Sequence, residues 1–336
     1  MSKIIIHAPN IHIGGGRTLL IALLSSLNKP AVVQIDKRLN PLPKLAKNIK
    51  VIRVEPNVIS RFNAELRLRS LCSKKDTLLC FGNLPPLFRN LARVFIYLQN
   101  RFLVSPIFLH DMSFALKTKI LIERFWLRYF IRDSIVIVQT TTMAQNAKHY
   151  LGRKVEILPF VPVWPKLSLN KKLLKYDYTY VASGEPHKNH KRLLEAWVYL
   201  ANHGLRPSLR LTVSIKNHRS ICLLIKKLTK KYKLKIFNCD CAPDKIFELY
   251  SQSKALIYPS LFESFGLPLL EATYLKKPII ASERDYVRDL INPIFTFDPN
   301  SSLSIARAVA RHQGIKKPNN YPKNSTFFIK KLFEIK

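Results

Sequence analysis

Two carboxylates, Glu263 and Glu271, stand eight positions apart in the stretch PSLFESFGLPLLEAT, residues 259–273, with a glycine and a proline between them. Gly266 permits backbone geometry that other residues resist, and Pro268 suits the first position of a helix, where its missing N–H costs nothing. The stretch is therefore predicted to form a strand, a tight turn and a helix that starts near Leu267, with Glu271 in its first turn.

The start of such a helix can bind an anion. Backbone N–H groups of Phe265, Gly266 and Leu267 are predicted to point out of the helix start, where phosphate binds. The flanking acids are then available to accept hydrogen bonds from hydroxyl groups, and a ligand with hydroxyls at both ends and phosphate between them is a nucleotide sugar. The alternative is an ordinary strand-to-helix turn in which Glu271 interacts with the helix dipole.

Apolar strand-like runs alternate with helix-period segments along the chain, and this alternation predicts parallel sheets with helices on both faces. In the first half the loop NIHIGGGR is predicted to precede a helix that Thr18 caps. The predicted strands of that half are KIIIHAP, PAVVQID, KVIRV, DTLLCFG, ARVFIYLQ and DSIVIVQT. Those of the second half are YDYTYVAS, LRLTVSI, LKIFNC, KALIYPS and KPIIAS.

The stretch ILPFVPVWPKLSLNKKLLK, residues 157–175, holds three prolines and a basic run, and it separates the two alternating regions. We expect an α/β protein of two Rossmann-like, doubly wound domains, 1–165 and 166–336. Ligands of such sheets bind where loops leave the carboxyl ends of the strands, so two facing sheets create a cleft between them.

These motifs together resemble the family 4 glycosyltransferases, which have the GT-B fold of two facing Rossmann-like domains. PSLFESFGLPLLEA is similar to the family's E-x7-E segment, VASGEPHKNHKRLLEAW to its phosphate-binding strand and helix, and NIHIGGGRTLL to its N-terminal glycine loop. The resemblance is strongest from 178 to 290. It implies a retaining hexosyltransferase with a nucleotide-diphosphate sugar as donor.

The resemblance also implies roles for individual residues. Glu263 would contact hydroxyls of the donor sugar, Glu271 the ribose, and Lys188 the departing diphosphate. Many members have an arginine six positions before that lysine, whereas this chain has Ala182, so diphosphate binding depends on Lys188 with Lys191 or Arg192 in support. The expected donor-binding set further includes Gly15, Gly16, Ser183, Gly184, Phe265, Gly266 and Leu267.

Family members often have a histidine after a strand of the N-terminal domain, near the reacting sugar. Alignment places YLQN there, which makes Asn100 the candidate catalytic residue, with Gln99 beside it. His110 next to Asp111 is another polar candidate, although such a pair is also explained as an ordinary hydrogen bond. The triple glycine at Gly14 fits neither the dinucleotide fingerprint nor a P-loop, and a flexible turn explains it equally well.

We expect no cofactor and no metal, because the chain contains no D-x-D sequence to clamp a diphosphate through a cation. In retaining members the acceptor hydroxyl attacks on the face that the leaving phosphate vacates, and a phosphate oxygen takes its proton. The pair Cys239 and Cys241 lacks the second ligand pair of a metal site. Five cysteines without paired spacing favour a reduced cytosol over a secreted disulfide scaffold.

The charge of the chain predicts anionic partners. Its 56 lysines and arginines against 21 acids give a net charge of +35, although compositional bias toward solvated lysine is an alternative cause. The segment KTKILIERFWLRYFIR, residues 117–132, predicts a helix that is basic on one side and aromatic on another, which is typical of interfacial membrane segments. A core helix with its cations in water is the alternative.

We therefore expect a cytoplasmic protein, peripheral on the anionic inner face of the cytoplasmic membrane, since no apolar run of about 18 residues predicts a span. A lipid-linked or lipopolysaccharide glycan is the expected acceptor, as in O-antigen assembly, and mannose is the preferred sugar.

Two alternative functions remain. A nucleic-acid-binding protein would need aromatics exposed among cations or RNP-type strands, and neither set appears, so no nucleic-acid partner is expected. A family member that binds nucleotide sugar without catalysis is the other, and the presence of Glu263, Glu271 and Lys188 argues against it.

Overall fold

The structure is a computed structural model that describes residues 2–105, 114–165 and 173–315, together with 331, 332 and 334. His110 and Asp111 lie outside the described residues. The described strands form two sheets of seven and six strands, and every strand pair in both sheets is parallel. The α/β architecture with two parallel sheets is thus confirmed.

The first sheet belongs to the N-terminal half of the chain. Its strands are β1 (Ile4–Ala8), β2 (Ala31–Asp36), β3 (Ile49–Val54), β4 (Thr77–Cys80), β5 (Arg93–Tyr97), β6 (Ile135–Val138) and β7 (Val155–Ile157). Its helices are α1 (Gly14–Ser25), α2 (Val58–Leu71), α3 (Phe114–Phe130) and α4 (Thr141–Leu151). The strand order β3-β2-β1-β4-β5-β6-β7 places β1 and β4 next to each other near the centre.

The second sheet has the order β10-β9-β8-β11-β12-β13 and belongs to the C-terminal half. Its strands are β8 (Tyr176–Tyr180), β9 (Leu209–Leu211), β10 (Ile236–Asn238), β11 (Ser253–Tyr258), β12 (Ile279–Ser282) and β13 (Phe295–Phe297). Its helices are α5 (His190–Asn202), α6 (Arg219–Tyr232), α7 (Ile246–Ser251), α8 (Leu267–Tyr274), α9 (Asp285–Arg288) and α10 (Ser302–His312). β8 and β11 are neighbours at its centre.

Helices cover both faces of the first sheet, which is why β1 reads as a continuous apolar run. Ile5 packs with Leu68 of α2 and Leu127 of α3. Ile6, which points to the opposite face, packs with Leu20 of α1. The alternation of side chains along β1 thus assigns even and odd positions to two different core clusters.

The predicted start of α1 was wrong. The helix begins at Gly14, so the three glycines form its first turn and are not a loop before a Thr18 cap. Gly14 has φ +65°, a left-handed value that glycine adopts at little cost, and the Thr18 hydroxyl donates to the Gly14 carbonyl inside the helix. Four elements of the described residues were not predicted at all: β7, β13, α9 and α10.

The two halves of the molecule are in direct contact. Phe265 and Leu267 of the C-terminal half belong to the same buried cluster as Ile6, Phe81 and Tyr97 of the N-terminal half. A hydrogen bond also crosses between the halves, because the Thr142 N–H at the start of α4 donates to Asp289 Oδ2 at 2.7 Å. The space between the sheets is therefore bounded by packed side chains.

The bond from Thr142 to Asp289 predicts a measurable loss of stability. Asp289→Ala removes an acceptor from a free N–H in the first turn of α4, which costs about 1 kcal/mol. We expect the thermal midpoint to fall by about 2–4 °C for a protein of this size. Asp289→Asn is the matched control, because it keeps an oxygen acceptor and should lower the midpoint less. Equal midpoints for the alanine variant and the wild type would contradict this role.

Candidate active site

The turn between β11 and α8 has the geometry that its sequence predicts. Gly266 has φ +85° and precedes α8 directly. A side chain at this position would be strained by the backbone, and its Cβ would lie 3.2 Å from Leu269 Cδ1. Two details differ from the prediction: Pro268 is the second helical residue, and Glu271 lies in the second turn of α8.

Two of the predicted side chains form a buried ion pair. Lys188 Nζ lies 2.7 and 2.8 Å from the two carboxylate oxygens of Glu263, and the side chains are only 17% and 11% exposed. The Tyr258 hydroxyl donates a further hydrogen bond to Glu263 Oε1 at 2.9 Å. Burial alone raises the pKa of the Glu263 carboxyl, but attraction to Lys188 and His187 outweighs it, so the net shift is downward.

Glu271 lies in a different electrostatic environment. Its carboxylate accepts a hydrogen bond of 2.8 Å from the hydroxyl of Tyr250, a fully buried residue of α7. Burial raises the pKa of Glu271, and the bond from Tyr250 opposes this only in part. In contrast to Glu263, this acid has no cation among its hydrogen-bond and ion-pair partners within the described residues, so it is poised to accept hydrogen bonds from neutral donors.

The loop before Lys188 is held by its own contacts. The Ser183 hydroxyl donates to Glu185 Oε2. A Cβ on Gly184 would lie 2.6 Å from the side chain of His218, so only glycine allows this loop to approach α6. The Ala182 N–H donates to the Thr212 hydroxyl at 3.1 Å. Ser183 and Gly184 remain predicted donor-binding residues.

The two cations suggested as support for Lys188 lie at the start of α5. Arg192 pairs with Glu195 at 2.7 Å on the helix surface, and Lys191 is exposed.

The N-terminal glycines lie against the predicted diphosphate turn. A Cβ on Gly15 would be 3.5 Å from Leu267 Cδ1, and one on Gly16 would be 3.6 Å from Gln99 Oε1. The structure therefore brings α1, the end of β5 and the start of α8 together, as the resemblance implied.

The Asn100 side chain has a structural partner. Its Oδ1 accepts a hydrogen bond of 3.1 Å from the Phe102 N–H and so caps the 3-10 turn Arg101–Leu103. Its own N–H donates to Asn83 Oδ1 at 2.9 Å.

Sequence reasoning missed Arg101. This half-buried residue reaches from the N-terminal half to the C-terminal half: its N–H donates to Ser264 Oγ at 3.1 Å and its Nη1 to the Glu263 carbonyl at 3.4 Å. Burial lowers the pKa of Arg101, against the opposing effect of acids that include Asp285 and Glu263. Among the described residues, no carboxylate oxygen lies within 4.0 Å of its nitrogens. One arginine among many cations carries no signal in the sequence.

Aromatic rings close the same region. The Phe102 ring meets the Phe262 ring edge-on at 4.9 Å between centroids, and His187 stacks on Phe262 at 4.9 Å. Phe102 comes from the N-terminal half, so this cluster joins the loop that follows Asn100 to the loop that carries Lys188. The result is a site where the two halves meet, with two acids, one paired cation and one cation that has no carboxylate partner among the described residues.

Comparison with known proteins identifies the class. Residues 166–324 match the family described as Glycosyl transferases group 1. The serotype-specific mannosyltransferase WbdA of Escherichia coli is 29% identical over 152 residues, which cover 44% of this chain and 18% of that protein. The O-antigen chain mannosyltransferase B of Escherichia coli is 26% identical over 134 residues, covering 38% and 34%. The matched segment thus spans only about a fifth to a third of these relatives.

Solved structures agree on the fold of the whole chain. Anabaena Alr3699/HepE, in complex with UDP-glucose, superposes with a TM-score of 0.66 at 14% identity and covers 93% of this chain and 89% of that one. Sucrose-phosphate synthase from Thermosynechococcus elongatus gives a TM-score of 0.65 at 15% identity, with 94% and 90% covered. The fold is GT-B, and the match to the group 1 glycosyltransferases covers residues 166–324 of the C-terminal half.

The raised pKa of Glu271 predicts how the stability of the ligand-free protein depends on pH. The pKa of Glu271 is raised in the folded state, so its contribution to stability is present below the ordinary value of 4.5 and is lost as the pH rises through the folded-state pKa. Glu271→Gln keeps an acceptor for Tyr250 without the desolvated charge. We expect this variant to melt above the wild type at pH 7.5 and close to it at pH 4.

Glu283→Gln serves as the control of opposite sign. Hydrogen bonds from Arg288 lower the pKa of Glu283 to about 2, so its contribution is present above pH 4.5 and lost below it. The glutamine variant should therefore melt slightly below the wild type at pH 7.5, since the pair is exposed and screened. A lower midpoint for Glu271→Gln at pH 7.5 would contradict the environment described for Glu271.

Proposed function

We propose that the chain is a retaining hexosyltransferase that transfers a sugar, with mannose preferred, from a nucleotide-diphosphate donor to a lipid-linked or lipopolysaccharide glycan. The observation that carries the proposal is the buried pair of Lys188 and Glu263 beside the start of α8, with Glu271 eight residues on. The mannosyltransferase names of the partial relatives support the choice of sugar and glycan. Residues 1–165 form the acceptor domain in this proposal, and 166–336 the donor domain.

Donor binding exchanges the partners of the ion pair. The diphosphate takes Lys188 and the N–H groups of Phe265, Gly266 and Leu267, while sugar hydroxyls donate to Glu263 and ribose hydroxyls to Glu271. Breaking a buried pair is costly when a charge is left alone. Here each charge receives a new partner from the same ligand, so the binding of a donor with both groups is favoured over that of either group alone.

Arg101 supplies the guanidinium that Ala182 cannot. It lies next to Glu263 without a carboxylate within 4.0 Å among the described residues, and a half-buried cation of this kind favours an anionic ligand. Because Arg101 comes from the N-terminal half, diphosphate binding would fasten the two halves together.

The proposed reaction breaks the bond between the anomeric carbon and a phosphate oxygen and forms a bond from that carbon to the acceptor oxygen on the same face. The acceptor proton goes to the departing phosphate oxygen. Lys188, Arg101 and the N-terminus of α8 stabilise the charge that develops on this leaving group. Asn100 and the acid Glu263 hold the sugar in this scheme.

A thermal-shift panel of UDP-, GDP- and dTDP-sugars tests donor binding. A ligand that binds only the folded state at about 100 times its Kd stabilises the protein by about 2.7 kcal/mol. We expect one nucleotide class to raise the midpoint, and Lys188→Met, Arg101→Met and Glu271→Ala each to reduce that shift relative to their own ligand-free baselines.

Lys254→Met is the matched control for the lysine variant. Lys254 also pairs with a carboxylate, Asp177 at 2.8 Å, but at the opposite end of β11 from Glu263. The Lys254→Met variant should show the same ligand-induced rise in thermal midpoint as the wild type. An unchanged shift in Glu271→Ala would exclude the ribose assignment, and no shift with any donor would exclude the proposed function.

The interfacial surface of α3 supports membrane association. Its cations turn inward more than predicted: Arg124 donates to the Phe102 carbonyl, and Arg132, just after the helix, donates to the carbonyls of Pro86 and Leu87. Phe125 and Tyr129, 56% and 66% exposed, stack with ring centroids 4.2 Å apart on the outer face. The exposed side therefore combines these aromatic rings with the exposed cations Lys119 and Arg128. The alternative, a core helix with its cations in water, does not hold for Arg124 and Arg132.

None of the described helices is both long and apolar enough to cross a bilayer. We propose that α3 lies on an anionic membrane surface, drawn there by the net charge of +35.

Flotation with vesicles tests this placement. At low salt we expect anionic vesicles to recover the protein and neutral vesicles to recover much less. Phe125→Glu should reduce binding to anionic vesicles roughly tenfold, since burial of one phenylalanine stabilises by about 1.5–3 kcal/mol. Leu223→Glu on α6, where Leu223 is 52% exposed, is the control of equal charge change and should bind nearly as the wild type does. Equal recovery of the wild type with neutral and anionic vesicles would refute the proposed binding of α3 to an anionic membrane.

A further inference from the structure

The hydroxyl of Tyr258, which contacts Glu263, is held in place by the centre of the second sheet. Tyr258 is the last residue of β11, a strand that has hydrogen-bonded neighbours on both sides, and it is 1% exposed. Its ring meets the Tyr180 ring edge-on at 5.6 Å between centroids and the Tyr286 ring at 6.4 Å. Strand pairing and ring packing together therefore fix the position of the hydroxyl.

The two carboxylate oxygens of Glu263 have different partners. Oε1 accepts hydrogen bonds from Lys188 Nζ at 2.7 Å and from the Tyr258 hydroxyl at 2.9 Å. Among the described residues, Oε2 accepts only from Lys188 Nζ, at 2.8 Å. Burial and the charge of Glu263 raise the pKa of Tyr258 well above its ordinary value, so the hydroxyl keeps its hydrogen and remains a donor. If Lys188 moves to another anion, Oε1 keeps a partner and Oε2 becomes free.

The hydrogen of a second hydroxyl near Glu263, that of Ser260, is used elsewhere. The Tyr180 hydroxyl has one hydrogen, which it donates to the Lys188 carbonyl at 2.8 Å, a group that only accepts. The hydrogen bond of 2.8 Å between the Tyr180 and Ser260 hydroxyls must therefore take its hydrogen from Ser260. Ser260 has no hydrogen left for the carboxylate, so Tyr258 is the hydroxyl that donates to Glu263.

We propose that Tyr258 is a positioning residue: it holds Glu263 by Oε1 after a diphosphate has taken Lys188, and so directs Oε2 towards the hydroxyls of the sugar. This role rests on the proposed function, in which the ion pair exchanges its partners for the ligand. Without Tyr258 the carboxylate would be free to turn about its terminal bond, whose torsion is broad and roughly two-fold. A buried carboxylate with no donor is also costly. One hydrogen bond to the ionised group removes both problems.

The groups that face Glu263 from the surrounding elements limit how a pH dependence can be interpreted. They are the cations Lys188 and Arg101, His187, and the tyrosines Tyr180, Tyr258 and Tyr286. Burial and the neighbouring Lys188 lower the pKa of His187, and burial raises the pKa of all three tyrosines. Because His187 is the same in every variant compared below, a difference between two tyrosine variants reports on Glu263.

Carboxyl NMR of the ligand-free full chain tests the hydrogen bond without a donor substrate. Glutamate is labelled with ¹³C at the side-chain carboxyl, and the signal of Glu263 is assigned by its loss in Glu263→Gln. A hydrogen bond to the ionised form lowers a pKa, so we expect Tyr258→Phe to raise the pH midpoint of the Glu263 titration. The rise should be larger in the Lys188→Met background, where Tyr258 is the remaining donor.

Tyr286→Phe is the matched control. Tyr286 is also 1% exposed, but its hydroxyl donates to the Ser260 carbonyl at 2.8 Å and not to Glu263. This variant should lower the thermal midpoint and leave the titration of Glu263 unchanged. Equal titration midpoints in Lys188→Met with and without Tyr258→Phe, or an equal rise in both tyrosine variants, would overturn the proposal.

Donor affinity tests the positioning role itself. The probes are GDP-mannose, UDP-glucose and dTDP-glucose, and the one that raises the thermal midpoint of the wild type is titrated by calorimetry. At pH 7.5 we expect Tyr258→Phe to bind it about threefold to tenfold more weakly, the net contribution of one hydrogen bond. The loss should shrink as the pH falls, because a proton on Glu263 then replaces the missing donor.

Proton uptake on binding distinguishes this role from a purely structural one. Calorimetry in two buffers of different ionisation enthalpy counts the protons, and Tyr258→Phe should take up more of them with the probe than the wild type or Tyr286→Phe does. A donor shift in the wild type with equal affinity and equal proton uptake in Tyr258→Phe would overturn the positioning role and leave the proposed function standing. No shift with any nucleotide sugar would overturn the proposed function, and the role of Tyr258 towards a donor with it.

Discussion

The buried pair of Lys188 and Glu263 is the constraint on which the site depends. Two opposite charges at this depth are tolerated only together, so the loops that carry them must meet. β8 and β11 are hydrogen-bonded neighbours, and these loops leave their carboxyl ends side by side. The Leu261 N–H donates to the His187 carbonyl at 2.8 Å, and the Tyr180 hydroxyl donates to the Lys188 carbonyl at 2.8 Å. The pair is thus positioned by the register of the sheet.

The turn between β11 and α8 also joins the two halves of the molecule. Its backbone presents the start of α8, whereas the side chains of Phe265 and Leu267 are buried against Ile6 and Phe81. Gly15 lies against Leu267, where a Cβ on Gly15 would make an ordinary van der Waals contact of 3.5 Å with Leu267 Cδ1. A change in the arrangement of the halves therefore moves the helix start relative to α1, and a ligand at the helix start is sensitive to both domains.

Local sequence patterns predicted the features that depend on the local sequence alone, namely most strands and the turn at Gly266. Most strands are apolar runs bounded by turns, and the left-handed turn at Gly266 follows from its residue type. The start of α1 was missed because a run of three glycines indicates a loop, whereas here these glycines form the first turn of the helix. Arg101 was missed because a cation reveals its role only through what lies across the cleft.

Because cations are in excess, an arginine without a carboxylate partner does not by itself indicate a ligand-binding site. With 56 basic and 21 acidic residues, most cations in this chain have no carboxylate to meet. Many use backbone carbonyls instead, as Arg206 does at Tyr232 and Lys233. The lack of a carboxylate is therefore ordinary for an exposed arginine such as Arg206, which water also solvates. Arg101 differs because burial removes water and because its guanidinium makes a single hydrogen bond among the described residues, a long one of 3.4 Å, beside the Phe262 ring at 5.9 Å. The proposal that Arg101 binds the ligand therefore rests on its burial and position, and not on its charge alone.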